Sequence, residues 1–299
     1  MQAKTPAPTG ALPLVAADGY PLAATLFPAA APCRGNLIVA GATGVPQGFY
    51  RRFALHASQR GFSTLTLDYR GIGGSRPADL RRFRMNLLDW GRLDLAAAVT
   101  AMRSDTLPLY MVGHSYGGHG FGLLPNHDAV ARFYTFATGA GWHGWLPPLE
   151  RLRVRLMWNL LTVFNLWKGY SPWSLLGLGE DLPIDVFRQW RHWCRFPHYF
   201  FDDPAAGDIA AQFARVTTPI VAANALDDLW ALPCSRDAFM QGYRNAPLTR
   251  VDLDPNAGPG RIGHMGYFRP AAEPLWNQVL DWFESGILTP LPYAAPAPD

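Results

Sequence analysis

"LYMVGHSYGG", residues 109–118, sets a short apolar run against a serine framed by glycines. Leu109–Val112 has the length and continuity of a strand buried on both faces. Gly113, Gly117 and Gly118 then surround Ser115, which is the pattern of a backbone that must bend more sharply than larger residues allow. A strand ending at Gly113 and a helix starting at Tyr116 would hold Ser115 in a strained strand-to-helix turn with its hydroxyl pointing out. Side chains at 113 and 117 would collide with the neighbouring strand and helix. The start of that helix also presents free N–H groups and a positive dipole end beside the hydroxyl, which suits an anion forming on a substrate oxygen. With 29 glycines in the chain, G-x-S-x-G alone is a weak signal, and its plainer alternative is a glycine-rich turn around a structural serine. Its place between a buried strand and a helix carries the functional reading.

Outward from this turn, strand and helix patterns alternate. "LPLVA" and "LAATLF" flank the turn "ADGYP" and predict an N-terminal hairpin. "NLIVAG", "FSTLTLDY", "LYMVGHS", "ARFYTFAT", "PIVAANA" and "LTRVDLD" follow as strands. Between them lie helices predicted at "FYRRFALHASQRG", "NLLDWGRLDLAAAVTAMR", Tyr116 to about Leu124, "CSRDAFMQGY" and "AEPLWNQVLDWFES". Short continuous apolar strands separated by helices imply a mostly parallel sheet covered on both faces, a three-layer α/β fold. The Pro/Ala-rich ends, "TPAPTGALP" and "TPLPYAAPAPD", read as loose tails.

From about Gly139 to Val216 there is no clear strand, yet seven of the eleven tryptophans fall there. So long a stretch implies an inserted helical unit after the sixth strand. The domain reading is therefore a core in two parts, 1–139 and 217–299, with a Trp-rich helical lid at 140–216. Its tryptophans either fill the insertion's own core or line a substrate pocket. "LMWNLLTVFNLW" has an interfacial character but reads more simply as a lid packed on the core.

Ser115 needs a base to take its proton and a third group to orient that base. "PIVAANA" runs into "LDDLW", which offers Asp227 and Asp228, and "LTRVDLD" leads to "GRIGHMGYF", which offers His264. The chain order Ser, Asp, His is the one this strand–helix arrangement requires. Asp227 is preferred as the first aspartate after its strand, with Asp228 as the alternative. Among eight histidines, His114 and His119 stand too near Ser115 in sequence to face it, while His192 and His198 belong to the insertion. The loop "GATGVPQG" after "NLIVA" brings small residues beside the site, so an oxyanion hole is expected from the backbone N–H groups of Ala42 and Tyr116, with Thr43 as the alternative to Ala42.

Composition narrows the function classes. The 299 residues are 49% apolar and 16% charged with a formal charge of +3, an ordinary globular balance that speaks against nucleic-acid binding. The arginine clusters Arg81–Arg84 and Arg151–Arg155 read as solvated helix faces, though Arg151, Arg153 and Arg155 could meet an anionic group at the pocket mouth. Three cysteines fit neither a disulfide framework nor a CxxC metal site. The early prolines interrupt any secretory leader, and no run is long and apolar enough to span a bilayer. A cytoplasmic protein is expected, with no cofactor, no metal and no stable membrane association. A metal site at "RHWCRFPH", from His192, Cys194 and His198, is a weak rival because the spacing is irregular.

At these residues the chain resembles the α/β-hydrolase family: "GHSYGG" for the nucleophile turn, "LDYRGIGGS" for the loop after the fourth strand, "ALDDLW" for the acid loop and "GHMGYF" for the histidine loop. It is most similar to a bacterial branch of hydrolases that shares "ATGAGWHGWLP" and "ANALDD", and the resemblance runs from about Leu12 to Phe283, lid included. Many relatives carry His-Gly where this chain has Ala40-Gly41. The resemblance implies a hydrolase with Ser115 as nucleophile, Asp227 as acid and His264 as base. The expected function is a serine esterase acting on a small-molecule ester with an apolar acyl or aromatic group. A thioesterase or lactonase of the same mechanism, or a non-catalytic binding protein on the same fold, are the alternatives. Oligomeric state is left open.

Overall fold

The computed structural model describes residues 9–30, 32–177, 179–258 and 260–296. The eight strands read from the sequence are all present: β1 (Gly10–Val15), β2 (Pro21–Phe27), β3 (Gly35–Ala40), β4 (Phe62–Leu67), β5 (Leu109–His114), β6 (Val130–Phe136), β7 (Ile220–Ala225) and β8 (Leu248–Leu253). They join a ninth, β9 (Ala294–Pro296), in one sheet of order β1-β2-β4-β3-β5-β6-β7-β8-β9. Every pair from β4 to β8 is parallel, whereas the β1–β2, β2–β4 and β8–β9 pairs at the edges are antiparallel.

Both tails differ from expectation. Gly10–Pro13 of the first belongs to β1, and Ala294–Pro296 of the last pairs with Val251–Leu253. Proline is tolerated in both because these are the outermost strands, where one backbone side faces no ladder. The first eight residues and the last three lie outside the described part of the chain.

The helices follow the predicted pattern with shorter bounds: α1 (Arg51–Gln59), α2 (Ala96–Met102), α3 (Tyr116–Phe121), α7 (Pro233–Met240) and α8 (Glu273–Ser285). A π-helical stretch, Trp90–Leu95, leads into α2. Side chains alternate across the strands, so Leu37 and Val39 of β3 pack with Phe53 of α1 and Leu275 and Phe283 of α8 on one face. Ile38 and Ala40 pack with Val99 of α2 and Phe239 of α7 on the other.

Between β6 and β7 the chain forms α4 (Pro148–Lys168), α5 (Ile184–Trp193) and α6 (Ile209–Ala214), with short 3-10 turns and, among the described residues, no strand longer than an isolated bridge between Ser171 and Leu182. Trp158 and Leu161 of α4, Phe187 of α5 and Trp173 share one continuous core with Ile38 and Phe239. This segment is helical, and it is fastened to the sheet rather than built around a separate core. The other face of α4 is open: Leu149, Leu152, Leu156, Leu160, Val163, Leu166 and Trp167 are exposed. Among the described residues no helix is long and apolar enough to cross a membrane.

Candidate active site

β3 lies between β4 and β5, so the chain runs away from β3 in opposite directions on its two sides. Ligands of parallel α/β sheets bind at the carboxyl ends of strands at such a crossing. Ala40 at the end of β3 pairs with Gly113 near the end of β5, which brings the 41–48 loop next to Ser115.

Ser115 sits between β5 and α3 at φ 53° and ψ −107°, a conformation few non-glycine residues adopt. The reason for the glycines is direct. A Cβ on Gly113 would lie 2.9 Å from both the Gly117 backbone and the Phe133 ring, and one on Gly117 would run into the Ala40 carbonyl oxygen. Ser115 N–H bonds the Phe136 carbonyl (2.8 Å) and its own carbonyl accepts from Gly118 N–H (3.0 Å) and Thr138 Oγ1 (2.9 Å), so the strained turn is held on three sides.

His264 Nδ1 is 3.0 Å from each carboxylate oxygen of Asp228. Asp228 is fully buried and also accepts from Tyr267 Oη (3.2 Å) and from the N–H groups of Trp230 (3.0 Å) and Ala231 (3.2 Å). Asp227, the residue preferred from the sequence, does not touch the ring. Its carboxylate accepts the backbone N–H groups of Ile262 (3.0 Å) and Gly263 (2.9 Å) instead. Consecutive residues of the turn after β7 point in opposite directions, so one aspartate faces the imidazole and the other staples the histidine loop to the acid loop. The carboxylate beneath His264 is therefore Asp228.

The expected use of Ala42 also fails on geometry. Its N–H donates to Tyr50 Oη at 2.7 Å. The Tyr50 hydroxyl in turn donates to His114 Nδ1 (2.9 Å), because His114 Nε2 must donate to the His264 carbonyl oxygen (2.8 Å). Burial and the His264 charge hold the His114 pKa down to about 3, so this ring stays neutral and keeps that tautomer. The chain Ala42–Tyr50–His114–His264 ties the loop after β3 to the histidine loop, a role invisible in a sequence where Tyr50 reads as one more apolar residue of the helix predicted at "FYRRFALHASQRG". The N–H groups of Thr43 and Tyr116 have no acceptor among the described residues.

Ser115 and His264 line one cavity of about 210 Å³, with no hydrogen bond of 3.5 Å or less between them; such bonds commonly shorten only when substrate is bound. Thr43 reaches it from the loop after β3, Trp142, Trp158, Trp173 and Trp190 from the inserted segment, and Trp230 from the acid loop. Several of the tryptophans thus form pocket wall. Trp158 and Trp190 meet edge to face at 5.1 Å, and Trp173 stacks on Trp190 at 5.1 Å. His119, set aside from the sequence, also lines the cavity: four residues after Ser115 it lies one helical turn on. Its Nε2 bonds the Gly139 carbonyl oxygen at 2.8 Å, its Nδ1 is unpartnered, and burial holds its pKa down to about 4. Among the described residues no aspartate or glutamate lines the cavity.

The segments read as rivals do other work. His192 pairs with Asp203 and His198 with Asp202, while Cys194 is buried against the cavity. No group of three potential ligands converges on a point among the described residues. Arg153 pairs with Glu150, and Arg151 donates to the Gly144 carbonyl; neither lines the cavity.

Residues 33–169 match the Hydrolase_4 family, described as serine aminopeptidase, S33. The chain is an α/β-hydrolase by fold. A soluble variant of monoglyceride lipase from Saccharomyces cerevisiae, in complex with a substrate analog, superposes with a TM-score of 0.66 at 15% identity, covering 96% of this chain and 98% of that one. The α/β-hydrolase GrgF from Penicillium sp. sh18 gives 0.62 at 17% identity over 93% and 98%. Est816, an N-acyl homoserine lactone degrading enzyme, gives 0.58 at 17% identity over 91% and 100%. Comparison with curated proteins finds no match.

Proposed function

We propose that this α/β-hydrolase is a serine esterase working through an acyl-enzyme, with Ser115 as nucleophile, His264 as base and Asp228 as the acid that orients it. The observation that carries this reading is the buried Asp228 carboxylate on His264 Nδ1, which leaves Nε2 as the basic nitrogen in a cavity shared with Ser115. Nε2 takes the Ser115 proton as Oγ attacks the substrate carbonyl. The resulting oxyanion is received by the N–H groups of Tyr116 and Thr43, the former at the positive end of α3. The imidazolium then protonates the leaving alcohol, and a water deprotonated by the same ring releases the acid.

An ester with an apolar acyl or aromatic group fits a wall of five tryptophans. Peptide substrates with a free amino terminus fit poorly, because no carboxylate among the described residues lines the cavity to receive an α-ammonium group. Thioesters and lactones present the same carbonyl to Ser115, and neighbours of the fold include a lactone-degrading enzyme and a thioesterase domain.

The test is hydrolysis of p-nitrophenyl acetate and butyrate by the wild type and by Ser115→Ala, alongside matched thioester and lactone substrates. Turnover lost in the variant supports the reading. Undiminished turnover by Ser115→Ala sinks it, and absence of turnover in the wild type on all three classes favours a binding protein.

A further inference from the structure

A second pocket, of about 490 Å³, opens between α4, α5 and the segment before α2, on the far side of those helices from the aromatic cavity. Trp190 and Cys194 face the cavity, whereas Arg191 and Arg195 face this pocket. Arg81, Arg84 and Arg188 also border it, so five arginines line this pocket.

The charges there are poorly matched. Arg188 lies 3.7 Å from Asp185, a loose pairing. Arg191 donates to Thr162 Oγ1 (2.7 Å) and Asn159 Oδ1 (3.1 Å), both neutral, and Arg84 to the carbonyl oxygens of Arg81 and Phe83 (3.0 Å each). Among the described residues, Arg81, Arg84, Arg191 and Arg195 have no carboxylate within 4.0 Å, and none lines the pocket. Desolvation and the nearby Arg195 charge lower the Arg191 pKa, the mark of a cation held without its counter-charge.

A second observation is independent of charge. Asn165 also lines the pocket, is only 4% exposed, and neither its amide nitrogen nor its carbonyl oxygen has a partner. Neither atom has accessible surface, so a ligand in the pocket meets them only if the Asn165 side chain turns toward it.

We propose that this pocket is a binding site for a phosphate group. Guanidinium forks match phosphate oxygens in pairs, and five arginines around one pocket suit a dianion better than a lone carboxylate. The phosphate is that of a soluble phosphate ester or of an acidic lipid headgroup. Leu166, on the pocket wall, continues the exposed apolar row of α4, where an acyl-bearing ligand would lie.

The test uses the full chain. Calorimetric titration with inorganic phosphate is compared between wild type, Arg84→Glu, Arg195→Glu and the control Arg51→Glu, which makes the same charge change on the exposed side of α1. Flotation with phosphatidylcholine vesicles, with and without phosphatidic acid, runs in parallel, and circular dichroism confirms that each variant is folded. The site requires saturable phosphate binding, or retention by acidic vesicles, that falls at least about tenfold in both pocket variants and not in the control. Phosphate binding alone identifies a soluble ligand, and retention that depends on phosphatidic acid identifies a lipid. No binding of either probe, or binding equally weakened by Arg51→Glu, overturns the proposal.

Discussion

Replacing Asp228 by Asn keeps the shape of the side chain and removes its charge. Both oxygens now stand 3.0 Å from His264 Nδ1. An amide in that place turns either its NH₂ toward the ring, forcing the proton to Nε2 and abolishing the base, or its oxygen, which retains the tautomer but no longer stabilises the imidazolium. The corresponding change in well-described triads lowers kcat by roughly 10⁴, about 5 kcal/mol in barrier. Asp227→Asn should behave differently: its oxygen can still accept one of the two backbone N–H groups of the histidine loop. Loss of one charge-assisted bond at a half-buried site is worth about 1–2 kcal/mol of stability, and kcat should stay within about tenfold. The assay is kcat and KM on p-nitrophenyl butyrate for both variants, with urea unfolding to separate stability from turnover. If Asp227→Asn shows the 10⁴-fold loss and Asp228→Asn stays near wild type, the geometry described above does not describe the working enzyme.

Three further outcomes follow from the same contacts. Tyr50→Phe leaves the Ala42 N–H and His114 Nδ1 without partners in a dry environment, and urea unfolding should show a loss of about 2–4 kcal/mol. Gly117→Ala drives a methyl into the Ala40 carbonyl, an obstacle of fixed backbone, so thermal unfolding should report at least about 2 kcal/mol lost together with esterase activity. The third concerns pH. His119 has a folded pKa of about 4, below its ordinary 6.5, so below pH 6.5 the unfolded chain binds its proton and the fold does not. Its contribution is therefore complete above pH 6.5 and declines as pH falls toward 4, by about 1.4 kcal/mol per pH unit. His119→Gln should flatten the stability profile between pH 6 and 4 by about that slope, and an unchanged slope would show that the ring is not held neutral.

The strands were legible because each is a short apolar run bounded by turn residues; their order in the sheet was not, since it depends on which runs pair. Ser115 and His264, which line one cavity, stand out in the sequence for a like reason: each follows a strand within a glycine-framed loop. The choice between Asp227 and Asp228 was not legible, since adjacent identical residues differ only in which way the turn after β7 points them. Nor was the withdrawal of Ala42, which depends on Tyr50 folding its hydroxyl back from the helical segment that follows the loop. Helical periodicity places that ring on the core side and says nothing of a hydrogen bond at its tip. β9 escaped notice because a three-residue edge strand with proline has no periodicity of its own. The arginine pocket draws on three separated segments, Arg81–Arg84, Asn165 and Arg188–Arg195, which only the fold brings together.

The central claim is that His264, oriented by Asp228, activates Ser115. A fluorophosphonate probe reports this directly, since it reacts only with a serine whose proton has somewhere to go. The account predicts one adduct, mapped by mass spectrometry to the peptide containing Ser115, and labelling reduced to background in His264→Ala. Labelling that persists in His264→Ala at the wild-type rate, or an adduct on another residue, would contradict it.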